Sequence, residues 1–237
     1  MSIIEHLEEL RVRLLISLAA FAVATGIGFV FVERILAFLL RPVGHVVFLA
    51  PTEAFFVRWK VAALAGIFLS LPVILFQLWR FVSVGLTPTE RRYAFSLIPA
   101  ALVLFVGGAA FAMVAILPVG VRFLLGYQTP TLVPMISISA YTSFATAFVL
   151  AFGLVFQLPI VILFLARLGI VTPAALARGR RHALLAIVIA SAVLTPGTDV
   201  FSQILMAVPT YLLYEVSIWV ARLVAPRAVG RESFHIE

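Results

Sequence analysis

Residues 61–92 read VAALAGIFLSLPVILFQLWRFVSVGLTPTERR. From Val61 to Trp79 no side chain is charged, and at ~1.5 Å of rise per residue such a run crosses most of a ~30 Å hydrocarbon core as a helix. Basic residues then arrive together, first Arg80 and, after a turn holding Gly85 and Pro88, Arg91 and Arg92. A long uncharged run closed by clustered arginines is the pattern of a membrane span that ends at the cytoplasmic face. The next run, Ala94 to Leu117, returns through the membrane, so this stretch sets the fold class as helical and polytopic.

Working outward in both directions places further apolar runs at Leu14 to Val32, Tyr141 to Ala166, Ala183 to Leu194 and Val200 to Ala221. Hydrophobic residues make up 64% of the 237 positions and the mean hydropathy is +1.19. The expectation is an all-α membrane protein of six transmembrane helices in one domain over 1–237. Residues 1–13 read as a cytoplasmic amphipathic helix and 222–237 as a cytoplasmic tail. An even number of spans puts both termini on one side, and the 17 basic residues choose it. Arg11, Arg13, Arg80, Arg91, Arg92, Arg167, Arg178, Arg180, Arg181, Arg222, Arg227 and Arg231 fall on one face, against Arg34, Arg41, Arg58, Lys60 and Arg122 on the other. Twelve against five predicts cytoplasmic termini.

The net charge of +7 and the pI near 10.8 are thus topology signals. A nucleic-acid binder would carry its basic stripe and stacking aromatics on a folded soluble unit, and no apolar-free segment is long enough for one. No cleavable leader is expected, because the first dozen residues are charged and the first apolar run lacks an A-x-A-like exit. The chain has no cysteine, which excludes thiol chemistry and disulfides.

Segment length separates the last two spans from the rest. His182 to Leu194 offers about 13 residues, or roughly 20 Å of helix, before Thr195-Pro196-Gly197, and the sixth span reaches about 15 residues before Glu215. A hairpin this short requires a thinned bilayer or cladding by partners. Pro72, Pro99, Pro159 and Pro209 are expected to kink their helices, because each lacks an amide donor. Gly107, Gly108, Ala109 and Ala110 form no GxxxG motif and read as ordinary packing. The two outer loops, about 33–60 and 118–140, read as ordered caps. Leu71 to Phe76 echoes Leu158 to Phe164 only with a gap, and no inverted repeat of the transporter kind is present.

Side chains able to carry chemistry are few. HExxH, GxxxxGK[ST] and GxSxG motifs are absent, the four histidines lie in tails or at span edges, and Asp199 has no second carboxylate for an aspartyl dyad. The chain therefore reads as a binder, not an enzyme, with no cofactor or metal. Thr87-Pro88-Thr89-Glu90 forms a capping box, and Ser2-Ile3-Ile4-Glu5 repeats the pattern at the N-terminus.

Taken in order, four motifs resemble the TatC family, the multispanning receptor of the twin-arginine protein translocase. They are His6-Leu7-Glu8-Glu9-Leu10-Arg11-Val12-Arg13-Leu14; Phe81 nine residues before Glu90-Arg91-Arg92; Phe152-Gly153 ahead of Phe156-Gln157-Leu158-Pro159; and Leu194-Thr195-Pro196 leading to Asp199-Val200-Phe201-Ser202-Gln203. The resemblance spans nearly the whole chain. It implies an inner-membrane protein that binds the consecutive arginines of signal peptides on folded cargo at the cytoplasmic face, assembles with small single-span subunits and with itself among membrane lipids, and draws on the proton gradient.

Carboxylates hold guanidinium pairs through charge-assisted, often bidentate hydrogen bonds, so Glu90 and Glu9 are expected to form the arginine clamp, with Phe81 shaping the adjoining pocket. Arg11, with Arg13, reads as a topology determinant that also fixes the N-terminal helix to the clamp. The resemblance makes Thr195 and Gln203 partner-binding candidates. Asp199 is a polar group at the outer face, read equally as the cap of span six. Many family members carry glutamate where this sequence has Gln157; the amide cannot titrate, and an interhelical hydrogen bond is its plainer role. Glu215 is expected to meet a nearby arginine or snorkel to the interface. The competing class is a proton-coupled small-solute transporter, whose polar groups would converge at the bilayer midplane.

Overall fold

The computed structural model describes residues 3–129, 131, 133–195 and 199–224. Ser2, Pro196, Gly197, Arg227, Arg231 and the rest of the tail lie outside the described residues. The described chain is helical: α1 Ile3–Val30, α2 Val32–Leu39, α3 Pro51–Val82, α4 Pro88–Ser96, α5 Ile98–Phe111, α6 Leu117–Leu125, α7 Ile138–Val155, α8 Leu158–Arg167, α9 Pro173–Arg178, α10 Arg180–Leu194 and α11 Val200–Val224. A π-turn, Ala112–Ile116, joins α5 to α6. Among the described residues, five runs are long and apolar enough to cross a membrane: Ile4–Val30, Pro51–Gly85, Pro88–Leu125, Ile138–Arg167 and Val200–Val224. The sixth span is α10, whose 15 residues make roughly 22 Å of helix.

Within the segment expected as a separate helix, the described residues 3–13 do not stand apart from the first span. From Ile3 the chain runs as one 28-residue helix to Val30, because neither glycine nor proline interrupts it before Gly26. The last span, expected over Val200 to Ala221, is the helix Val200–Val224 of 25 residues, and it continues past Glu215, whose carboxylate finds a partner inside the fold.

The four prolines act in two ways. Pro72 and Pro209 lie within α3 and α11. Pro99 and Pro159 instead open α5 and α8, after interruptions at Leu97 and at Phe156–Gln157. First-turn amides have no helical acceptor in any case, so proline is tolerated there. Spans three and four are each built from consecutive helices rather than one kinked rod.

Two close approaches hold the bundle. A Cβ at Gly28 would lie 2.8 Å from the Ala62 carbonyl oxygen and 2.8 Å from the Ala65 Cβ, and one at Gly66 would run into Thr25, so α1 lies directly on α3. A Cβ at Gly108 would lie 2.5 Å from the Phe152 carbonyl oxygen, and one at Gly153 would meet the Phe105 ring at 2.9 Å. The Gly107–Gly108 pair is therefore divided: Gly107 faces open space, and Gly108 is the contact between α5 and α7. Small residues allow helices to pack in lipid, where no hydrophobic force drives them together.

The outer loops are joined to each other. Val47 donates to the Ile136 carbonyl at 2.9 Å and accepts from the Ile138 amide at 2.8 Å. The Tyr141 hydroxyl donates to the Leu39 carbonyl at 2.8 Å. Glu53 Oε2 accepts from both the Leu49 amide, at 3.2 Å, and the Ser137 hydroxyl, at 3.1 Å. These bonds make an ordered cap on the face opposite Glu90, as the sequence led us to expect.

Candidate functional site

The beginning of α1 lies along the end of α3. The His6 ring stacks on Phe81, centroids 4.5 Å apart and 19° from parallel. His6, Glu9 and Arg13 share a helix face by their i, i+3, i+7 spacing. Arg13 Nη2 donates to Glu9 Oε1 at 3.1 Å, and Arg13 Nη1 donates to Gln77 Oε1 on α3 at 3.3 Å. Glu9 and Arg13 are each only 16% exposed, and Gln77 is buried. Glu9 Oε2 and Arg13 Nε are themselves buried and have no partner among the described residues. Arg11 points the other way, 72% exposed and 3.7 Å from an equally exposed Glu8.

After Phe81 the chain turns through a 3-10 segment, Ser83–Gly85, with the Ser83 hydroxyl donating to the Arg80 carbonyl at 2.8 Å. Thr87 then caps α4. Its amide and its hydroxyl each donate to Glu90 Oε2 at 2.8 Å, and the Glu90 amide donates back to Thr87 Oγ1 at 3.5 Å. This is the capping box read from the sequence. It fixes one carboxylate oxygen of Glu90 and leaves Oε1 without a hydrogen bond among the described residues. No hydrogen bond or ion pair joins Glu90 to Glu9 there. Phe81 and the turn after it bring the two groups to the same end of the molecule.

Gln157 lies in the break between α7 and α8. Its backbone amide bonds the Leu154 carbonyl at 3.0 Å, in a tightened turn that leaves the Gly153 carbonyl without its helical donor. The Gln157 side chain replaces that donor: Nε2 donates to Gly153 O at 3.4 Å and to Ala101 O of α5 at 3.1 Å.

At the opposite end, Asp199 Oδ1 accepts from the Ser202 amide at 2.6 Å and so caps α11. Gln203 Nε2 donates to the Val188 carbonyl at 3.1 Å and ties α11 to α10. Thr195 is buried where α10 ends, its hydroxyl unpaired among the described residues. Toward the other end of this hairpin Arg180 grips Glu215 with two bonds, 2.7 and 2.8 Å, and the Tyr211 hydroxyl adds a third at 3.0 Å. Among the described residues no three His, Asp or Glu converge to hold a metal.

Of the residues singled out from the sequence, Glu9 and Phe81 are brought to one seam, Glu90 lies just beyond it, and Arg11 lies outside it. Gln77 was missed. The available signal was its being the one amide side chain inside the uncharged run 61–79, a helical turn before Phe81.

A family model described as Sec-independent protein translocase protein (TatC) matches residues 5–209. A Sec-independent protein translocase protein TatC from Carboxydothermus hydrogenoformans is 43% identical over 236 residues, covering 98% of this chain and 97% of that one. Its counterpart from Aquifex aeolicus is 38% identical over 231 residues, covering 94% and 95%. A crystal structure described as the twin arginine translocase receptor TatC superposes with a TM-score of 0.83 at 37% identity, covering 92% of this chain and 99% of that one.

Proposed function

Because the chain belongs to the TatC family of Sec-independent protein translocase proteins, we propose that it is the receptor and core subunit of a twin-arginine translocase. It is a multi-pass inner-membrane protein and a binder rather than an enzyme. It takes the signal peptides of folded proteins at the cytoplasmic face and recruits small single-span subunits for export. Both termini lie in the cytoplasm on this reading, by the excess of arginine on their side.

The observation that carries the reading is the state of two carboxylates. Glu90 is held by one oxygen through Thr87, and Glu9 by one oxygen through Arg13. Each is thereby oriented; Glu90 retains an exposed oxygen able to receive a guanidinium, and the second oxygen of Glu9 is unpaired but buried beside Arg13. Charge-assisted bonds of this type are roughly twice as strong as neutral ones, and two of them match two arginines. Phe81, fixed by His6, provides the apolar wall beside them. Arg11 is exposed and acts on topology. The α10–α11 hairpin, with Thr195 near its tip and Gln203 across it, is the proposed edge for partner subunits, and transport draws on the proton gradient.

The transporter alternative finds little support in these positions. The polar groups lie toward the two ends, and Gln157 uses its amide protons on backbone carbonyls rather than lining a solute site.

The test uses the full chain in nanodiscs and a signal peptide with a photoprobe beside its paired arginines, against the same peptide with Lys-Lys. Selective labelling near Glu90 and Glu9 is expected. Glu90→Gln keeps an oxygen for the Thr87 amide but removes the charge, so loss of labelling in that variant assigns Glu90 to the peptide and not to the cap. Equal labelling by both peptides would overturn the receptor reading.

A further inference from the structure

Among the four arginine–glutamate pairs of the described residues, Arg11–Glu8 and Arg58–Glu33 are exposed, and the two less exposed pairs differ in kind. Arg180 and Glu215 make a complete fork, with both carboxylate oxygens bonded at 2.7 and 2.8 Å. Arg13 and Glu9 make a single bond of 3.1 Å, longer than the ~2.7–2.9 Å usual for a charge-assisted pair. Arg13 Nε and Glu9 Oε2 are both left without partners in a buried seam. Arg13 also donates to a second acceptor, Gln77 Oε1. The first contact is a finished structural bond. The second leaves a polar atom of each partner unused.

We propose that Arg13 is a resident competitor at the peptide site: an internal guanidinium that occupies Glu9 until a ligand arginine with better geometry displaces it. This inference rests on the receptor reading above and deepens it. Glu9 Oε2 is buried, so a ligand reaches this carboxylate by replacing Arg13, not by joining it. A ligand arginine can engage both oxygens through its planar fork and gains over the resident single bond, which a lysine ammonium cannot do. The cost of displacing Arg13 is common to both ligands and cancels in their ratio, so the ligand's fork sets the preference for arginine and Arg13 sets the affinity of the site. Gln77 is a positioning residue, because it keeps one hydrogen bond to the Arg13 guanidinium when Glu9 is released, where buried donors without an acceptor would be costly.

The experiment measures dissociation constants of fluorescent Arg-Arg and Lys-Lys signal peptides for the full chain in nanodiscs, with wild type, Arg13→Gln and Gln77→Glu. Arg13→Gln removes the resident guanidinium, and the expected result is about tenfold tighter binding of both peptides, the effect of one charge-assisted bond, with their ratio unchanged. Gln77→Glu gives the displaced Arg13 a carboxylate and is expected to tighten both in the same direction. A contact that merely sutures α1 to α3 would weaken binding of both peptides in Arg13→Gln, and that outcome overturns the proposal, as do unchanged constants. Should Arg13→Gln fail to fold, Gln77→Glu decides by the same direction. A wild type with no arginine preference removes the receptor reading itself, a result distinguishable from failure of the Arg13 inference alone.

Discussion

Gln157 shows how one side chain supports a helix break inside the membrane. Its two amide protons serve the Gly153 and Ala101 carbonyls, and no water in the hydrocarbon can take over if they are lost. Gln157→Leu is expected to lower unfolding stability by about 1 kcal/mol, the size of a typical interhelical hydrogen bond in a bilayer, measured by denaturation in bicelles. Gln157→Glu removes at least one of the two N–H donors whatever its protonation state, so it should unfold at a lower temperature than wild type; an unchanged melting temperature would refute the donor role.

At the level of elements, glycine placement decides which helices touch. Gly28→Ala pushes a methyl group into α3 and Gly66→Ala pushes one into α1, and Gly108→Ala does the same to α7. Overpacking of this kind costs about 1–3 kcal/mol. The controls lie beside them, since a Cβ at Gly26 or Gly107 meets nothing within 4 Å. Thermal unfolding in detergent should therefore separate 28, 66 and 108 from 26 and 107, although all five are glycines in apolar spans. The same logic applies to the hairpin. Glu215→Gln leaves Arg180 with a neutral acceptor where it had a two-point ion pair, and the α10–α11 contact should loosen, read as faster proteolysis in the 168–180 connection.

The whole molecule has an uneven thickness. α10 has 15 residues between Arg180 and Thr195, about 22 Å of helix, whereas α3 runs for 32 residues. Water is therefore expected to approach the α10–α11 turn closely. Ser191 and Ser202 are buried against neighbouring helices and would not report it, but Val193 and Val200 are 78% and 66% exposed. The chain has no cysteine, so single cysteines give clean answers. Val193→Cys should react with a membrane-impermeant maleimide added to spheroplasts, as should Val133→Cys in the outer cap. Thr89→Cys should react only after the membrane is opened. Labelling of Thr89→Cys in intact spheroplasts would reverse the proposed topology.

The sequence by itself determined the fold class, the spans and the capping box. Each depends on a local property: an apolar run long enough for a bilayer, arginines clustered at its end, or Thr87 and Glu90 three residues apart. The candidate site was only half legible for the same reason. Glu9, Glu90 and Phe81 could be named from their motifs, but no local pattern says that Arg13 reaches Gln77, 64 positions away, or that His6 lies on Phe81. Nor could sequence tell Gly108 from Gly107, because that depends on which face of α5 meets α7. Only the tertiary structure decided these points. They belong to pairs of helices brought together by packing, and contact between distant segments is not a property of either segment alone.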